Sequence, residues 1–461
     1  MRLPLSLFTL CLAGCNLAPR YEAPAPPIYS EYPGQHAGVG QPATAVKWQE
    51  FFGDPLLKTY IATALANNRD LAAASAFVAQ AEAQFRIQRA AQLPQVDLAA
   101  SGGKAKTPVR AANGDVSSVT AESYVAQLSV SAFELDFWGR VRNLSESARR
   151  QYLATVEGER AFRLSMIANV ASLYYAIRAG EAGIALSERT LASRVEALEI
   201  AKLRLDAGVT SAVDFEQSAV LVTQARTQLA ELQRTTEQLR NQLLVVIGGP
   251  TTTELPTGRP IEDPGQFTAI DAGLPSQLLI NRPDVLRAEQ QLRAANADIG
   301  VARALFFPTI ALTGAAGYVS NDLDNLFESS SEQWSYGAAA LLPIFDFGRR
   351  RALLQQSKAR QAELVAVYQR TVQQAFREVC DGLVGRQRLE EQVRAQEEAV
   401  AVMQRLAEIA ELRYDNGVSL YLEVLDAERN LFSAQQQLLQ LRAAELQNGV
   451  SLYTALGGGT E

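Results

Sequence analysis

Histidine is all but missing from these 461 residues: His36 is the only one, and it lies in a proline-rich stretch. A histidine-based metal centre and a Ser-His-Asp triad are therefore not expected. Cysteine is scarce as well, with three residues. Cys11 and Cys15 fall near the start and Cys380 in a helical stretch, so no disulfide framework is predicted and Cys380 reads as a small packing residue. No nucleophile–base pair, phosphate loop or metal-ligand spacing is visible. Gly457-Gly458-Gly459 is a helix end and not a nucleotide fingerprint. On this reading the chain is not an enzyme and needs no cofactor. Basic charge is also lacking: the net charge is -7 and the pI about 5.2, which argues against a nucleic-acid partner. Beyond the first 15 residues, no apolar run reaches the roughly 20 residues of a transmembrane helix. With 48% hydrophobic and 20% charged residues the chain nevertheless has the composition of a folded protein.

The first fourteen residues read as an address. Arg2 precedes an apolar run, Leu3 to Ala13, of signal-peptide length. It ends in Leu12-Ala13-Gly14-Cys15, which looks like a bacterial lipobox. Residues 1–14 are thus expected to be a lipoprotein signal peptide and Cys15 the lipidated residue. By resemblance to other bacterial lipoproteins, Asn16 suits export to the outer membrane. Residues 15–54 follow as a lipid-anchored tether carrying Pro19, Pro24, Pro26, Pro27, Pro33 and Pro42. Proline removes backbone donors and restricts φ, which favours an extended segment over a domain. Trp48, Phe51, Phe52 and Leu56 offer apolar groups to dock it.

The rest of the chain is organised around one turn that occurs twice. Leu203-Arg204-Leu205-Asp206-Ala207-Gly208-Val209-Thr210 is answered, 209 residues on, by Leu412-Arg413-Tyr414-Asp415-Asn416-Gly417-Val418-Ser419. Gly and Asn are expected to supply the left-handed backbone that ends one helix, and Ser or Thr to start the next. Gly208 to Gly248 and Gly417 to Gly457 are both 40 residues. This is an internal duplication. The first repeat is 55–249, a Pro-rich linker is 250–280, and the second repeat is 281–461.

Each repeat reads as helix, strand, loop, strand, long helix, turn, shorter helix. In the first, residues 95–101 and 124–132 alternate apolar and polar, as half-buried strands do. The polar stretch Gly102 to Glu122 between them reads as a loop. In the second, Ile310 to Tyr318 and Trp334 to Leu342 alternate likewise. From Arg140 to Asp206 no proline interrupts, so a continuous helix of about 100 Å is predicted. In the helix after each turn apolar residues recur at sevens: Phe215, Val222, Leu229 and Leu243, then Val424, Leu431, Leu438 and Leu452, with Thr236 and Glu445 at the gaps. Such spacing indicates side-by-side packing of long helices.

Four strands of about nine to eleven residues have membrane-spanning length. Alone they cannot close a barrel, and open edges are not tolerated in lipid, so other copies must complete them. Two copies would give eight strands, a size filled by side chains; three would give twelve and leave room for water. Tyr124, Tyr318, Trp334 and Tyr336 fall toward the loop ends, where an aromatic girdle belongs.

At this point the sequence resembles the TolC-like outer membrane factors, and within them the OprM-type lipoprotein branch. The stretches that carry the resemblance are residues 274–284 (LPSQLLINRPD), 295–303 (ANADIGVAR) and 420–428 (LYLEVLDAE). The resemblance implies a mainly α fold with a transmembrane β-barrel portion. Three copies would share a twelve-stranded barrel, four strands from each, and an α-helical barrel crossing the periplasm. It implies the exit duct of a tripartite efflux pump in the outer membrane, with a periplasmic adaptor and an inner-membrane transporter of the RND type as partners. A duct for type I protein secretion is the alternative. By the family pattern Leu422, Glu423, Asp426 and Arg429 correspond to a periplasmic gate, where threefold symmetry would gather carboxylates on one axis and favour cations. Their first-repeat counterparts include Asp214 and Gln217. The turns themselves, with Arg204, Gly208, Val209, Arg413, Gly417 and Val418, are the candidates for adaptor contact.

Overall fold

The computed structural model describes residues 15–32, 41–110, 114–250, 255–273 and 275–459. The expected signal peptide, His36 and Leu274 lie outside the described residues, as do parts of the tether and linker. In chain order the strands are β1 (Gln41–Pro42), β2 (Asp97–Arg110), β3 (Val116–Glu134), β4 (Ile270–Asp271), β5 (Thr309–Ser320) and β6 (Glu332–Leu341). The α-helices are α1 (Trp48–Phe51), α2 (Pro55–Asn67), α3 (Arg69–Ala90), α4 (Arg140–Asp206), α5 (Ala212–Val246), α6 (Leu278–Asn281), α7 (Pro283–Ala304), α8 (Arg349–Asp415) and α9 (Tyr421–Ala455). Helices α4 and α8 are each 67 residues, and α5 and α9 each 35. No helix among the described residues is long and apolar enough to cross a membrane. The chain divides into two compact units, each drawing on both repeats.

One unit, residues 1–25, 78–155 and 287–368, holds a four-stranded antiparallel sheet in the order β2-β3-β5-β6. Three of its strands exceed the expected nine to eleven residues, at 14, 19 and 12, while β6 has 10. The stretch Gly102 to Glu122 is not a loop, because the β2–β3 ladder continues to Arg110 opposite Val116. It escaped the alternation test because Gly102, Gly103 and Pro108 interrupt it and its less polar face is weakly apolar, with Ala105, Thr107 and Val109 opposite Ala121, Val119 and Ser117; pairing there rests on the backbone and on contacts such as Lys104–Glu122, 2.5 Å. β2 and β6 are the two edges, each unpaired on one side and exposed over nearly its whole length.

The same unit seats the chain just after Cys15. Asn16 accepts from Asn143 (2.9 Å) and from the Ala18 amide (3.0 Å). Arg303 donates to the Leu17 carbonyl (3.0 Å) and Asn296 to that of Pro19 (2.8 Å). Cys15 itself is exposed. Where β3 passes into α4, Gly139 takes φ 74° and Trp138 stacks on Phe307, centroids 4.6 Å apart, while donating to the Pro308 carbonyl at 2.9 Å.

The other unit, residues 26–77, 156–286 and 369–461, holds the remainder of α4 and α8 with α5 and α9. Phe51 and Phe52 are buried there, and Phe51 stacks on Tyr453 at 3.9 Å. β1 and β4 pair in parallel. The duplication is written in its contacts: Asn68 donates to the Val246 carbonyl (2.8 Å) as Arg282 does to that of Ala455 (2.9 Å). The positions at sevens face inward, with Val222, Leu243, Val424 and Leu452 all buried. Thr236 is buried because α4 offers Gly180 there: a Cβ at that glycine would lie 2.3 Å from the Thr236 hydroxyl.

Candidate functional site

Each long helix ends on a glycine whose positive φ forbids a further helical turn: 71° at Gly208 and 72° at Gly417. The amides that follow turn back in the same way. Val209 donates to the Arg204 carbonyl and Val418 to that of Arg413, both at 2.9 Å, which closes a Schellman turn at each helix end. Asn416 does not share the left-handed role assigned to it. Its φ is not positive, and its side chain instead donates to the Leu412 carbonyl at 2.7 Å.

The two turns are then restarted differently. Ser211 caps α5 in a capping box, its hydroxyl accepting from the Asp214 amide while Asp214 accepts from the Ser211 amide, each 3.4 Å. The Thr210 hydroxyl also donates to Asp214 at 2.6 Å, and this bond holds the carboxyl below the ordinary carboxylate range. In the second turn the expected Ser start fails. The N-cap is Leu420, which has no side-chain oxygen to offer, and the Ser419 hydroxyl is buried without a partner.

Beyond the turns α5 and α9 border a groove, with Ala212, Val213 and Gln217 on one side and Leu422, Asp426 and Arg429 on the other. Asp426 and Arg429 form an ion pair of 2.8 Å, both about half exposed. Leu422, Asp426 and Arg429, three of the four residues grouped by the family pattern, thus line one groove with Gln217, the first-repeat counterpart of Asp426. Glu423 and Asp214 do not line the groove: Glu423 faces Arg413 at 3.7 Å, and Asp214 serves as a helix cap. Of the residues expected at the adaptor face, Val209 and Val418 are 76% and 67% exposed, among other bare apolar side chains such as Leu412 and Leu420.

Arg204 is engaged inside the protomer. Its guanidinium lies 4.4 Å above the Tyr414 ring and donates to the Tyr414 hydroxyl. Tyr414 packs on Tyr421 at 4.9 Å, and burial pushes the Tyr421 hydroxyl up to about 12. One file of side chains thus joins the ends of α4 and α8 to the start of α9. A second brace lies further along. Arg194 is buried, donates to the Leu221 carbonyl (3.1 Å) and sits over Phe432 (5.3 Å), with Nε unpartnered. Glu428, near it, is pushed up by burial. No role was read from the sequence for Arg194, for Tyr414 in the repeated turn, or for Tyr421 and Glu428 in the 420–428 stretch. The available signal was charge on an otherwise apolar helix face.

The comparisons agree with this architecture. A family model described as Outer membrane efflux protein matches residues 60–249 and 274–458. The solvent efflux pump outer membrane protein SrpC of Pseudomonas putida is 42% identical over 456 residues, 98% of this chain and 96% of its own length. The antibiotic efflux pump outer membrane protein ArpC of the same organism is 40% identical over 465 residues, 99% and 95%. The open-state MtrE outer membrane channel of Neisseria gonorrhoeae superposes with a TM-score of 0.89 at 34% identity, over 97% of this chain and 99% of that one. Two long repeats, a half-finished sheet and capped helix turns are what such a channel is built from, and the chain belongs to the outer membrane efflux protein family.

Proposed function

We propose that three copies of this chain close a twelve-stranded pore in the outer membrane and act as the exit duct of a tripartite efflux pump for small apolar or amphipathic compounds. The observation that carries the reading is the sheet: four strands of 10 to 19 residues with both edges unpaired. Such edges are satisfied in lipid only by closure. The relatives' printed roles, solvent and antibiotic efflux, favour this over a duct for secreted proteins. In this reading Cys15 carries the lipid anchor; its exposure and the docked residues after it support that. The exposed apolar turn ends at Val209 and Val418 meet a periplasmic adaptor, which links the duct to an inner-membrane transporter of the RND type.

The groove of Leu422, Asp426, Arg429 and Gln217 lies at the mouth of the duct as its gate. Threefold repetition gathers the carboxylates and favours cations there. Glu423 and Asp214 act one step back, through Arg413 and the α5 cap. The test is reconstitution in planar bilayers. Asp426→Ala should raise single-channel conductance and lower cation preference, with Glu423→Ala weaker in both. Unchanged conductance and selectivity in the Asp426 variant would remove the gate, and absence of any channel would remove the duct.

A further inference from the structure

The four-stranded sheet has two unlike faces. Leu98, Leu128, Ala316 and Trp334 stand side by side across its strands on one face, and Asp97, Ser129, Ala315 and Ser335 on the other. In the outer-membrane pore proposed above, the first faces lipid and the second the lumen. From Glu134 to Tyr124, β3 covers about 34 Å, or about 24 Å of height at a tilt of about 45°, which matches the apolar band of such a barrel. Tyr124 marks the rim: its ring lies over Gly102, where a Cβ would fall 2.9 Å away. Yet the β2–β3 ladder continues past this rim to Arg110 opposite Val116. The Cys15 carbonyl lies at the other end of the sheet, 3.2 Å from a Cβ placed on Gly139. A lipid on Cys15 keeps that end in the inner leaflet, so the hairpin emerges from the outer one.

Beyond the rim the hairpin keeps its positive charge on one side. Lys104, Lys106 and Arg110 are the lysines and arginines of β2 and β3, and by the period of two all continue the lipid-side face. The lumen-side face carries Ala105, Thr107 and Val109 instead, opposite Ala121, Val119 and Ser117. Glu122 is the carboxylate of these strands on the cationic face. It pairs with Lys104 at 2.5 Å and accepts from the Tyr124 hydroxyl at 3.1 Å. Lys106 and Arg110 are exposed and meet no carboxylate among the described residues. Across from them stand Thr120, Ser118 and Val116. At the same rise and tilt, Lys104 lies about 5 Å above the Tyr124 row, Lys106 about 10 Å and Arg110 about 19 Å.

We infer that this outward face of the hairpin binds the phosphorylated glycolipid of the outer leaflet, lipopolysaccharide. Lys104 and Lys106 stand at the level of the phosphates on its lipid anchor, and Arg110 among the sugars above. Charge complementarity selects this occupant: cations without carboxylate partners project sideways just above an aromatic rim, where the phosphates of a neighbouring lipid lie. Long basic side chains can reach such phosphates while their stems rest on the strand. Charges on an edge strand also keep sheets from sticking together, but either sign and either face would serve that end. The inference rests on the outer-membrane pore proposed above and adds to it a ligand on its outer wall.

The test uses the full lipidated chain in maltoside detergent, with magnesium chelated. Rough lipopolysaccharide is titrated in and binding followed by thermophoresis. The same glycolipid stripped of phosphate, and phosphatidylglycerol, are run as controls. Light scattering gives the mass of each assembly, and planar bilayers its conductance. The parent should bind the phosphorylated glycolipid more tightly than either control. Lys106→Glu with Arg110→Glu keeps the edge charged and should weaken binding by about tenfold or more. Lys106→Arg with Arg110→Lys should retain it. Equal binding by the charge-reversed variant overturns the inference, and so does equal affinity of the parent for phosphatidylglycerol, which would mean a general attraction for anions. A charge-reversed assembly of lower mass overturns it too, since the cations would then join copies, through carboxylates such as Glu332. A parent that conducts without binding the glycolipid loses this site and keeps the duct, whereas a parent that does neither loses both.

Discussion

The guanidinium of Arg204 lies 4.4 Å above the ring of Tyr414 and donates to its hydroxyl, tying the last turn of α4 to that of α8 across 210 residues of sequence. A cation over an aromatic face contributes about 0.5–2 kcal/mol depending on exposure. Arg204→Ala should therefore loosen both turns without unfolding the chain. Amide exchange measured by mass spectrometry should accelerate at residues 203–211 and 412–421 and stay unchanged in the sheet. Tyr414→Phe keeps the ring and should give a smaller effect.

Arg429 neutralises Asp426 in the α5–α9 groove at 2.8 Å. Arg429→Ala leaves the carboxylate uncovered, so cation preference in planar bilayers should rise, opposite in sign to Asp426→Ala. The double variant should return toward the single Asp426→Ala value. Parallel shifts in both single variants would mean that the pair acts by packing and not by charge.

Ser211 caps its helix and Leu420 does not. Ser211→Ala should cost about 1 kcal/mol, the usual worth of an N-cap hydroxyl. Leu420→Ser should do the reverse at the second turn. Thermal melts followed by circular dichroism, run for both variants on the same preparation, check the signs.

Gly180→Ala would drive a Cβ to within 2.3 Å of the Thr236 hydroxyl. Overpacking of this kind costs about 1–3 kcal/mol. The hydroxyl has no hydrogen-bond partner to lose, so adding Thr236→Ala should recover much of the loss. Chemical denaturation of the single and double variants measures the recovery.

Glu445 occupies the Thr236 position of the second repeat, and burial pushes its carboxyl up, with Glu390 and Glu397 adding and Arg442 opposing. Glu428 is pushed up by burial too, with Arg194 opposing. A carboxyl whose folded value is raised binds its proton more tightly in the native state. Its contribution is fully present below the ordinary carboxylate range and is lost as pH rises through the raised value. Their contribution to the melting temperature should fall as pH rises above the ordinary carboxylate range of about 4. Glu445→Gln should flatten part of that slope, and an unchanged slope would clear Glu445 of the effect.

Much of the architecture was legible because it is punctuated. Glycine and proline stop helices for reasons internal to a few residues, so Gly139, Gly208, Gly348 and Gly417 mark the ends of α4 and α8 in the bare sequence. Stretches of 67 residues without proline between such marks leave little else to form. The outer halves of β2 and β3 were not legible, since Gly102, Gly103 and Pro108 break the pattern and the face of Ala105, Thr107, Val119 and Ala121 is only weakly apolar. The α9 start was misread because Ser419 sits one residue away from the cap position. Around the candidate gate, Leu422, Asp426 and Arg429 were reached through resemblance and Gln217 through the 209-residue offset between the repeats. The Arg204–Tyr414 contact was reached only through the fold, because two helix ends must be brought side by side before either residue has a partner.

At Gly208 and Gly417 an added Cβ would meet no atom within 4 Å, so what bars other residues from these turns is handedness and not lack of room. A D-alanine, introduced by chemical ligation, would take without strain the left-handed conformation the backbone already holds. It would narrow the wanderings of the unfolded chain, which a glycine leaves wide, and the mirror-image residue should make each hairpin of helices stiffer than nature's twenty building blocks allow.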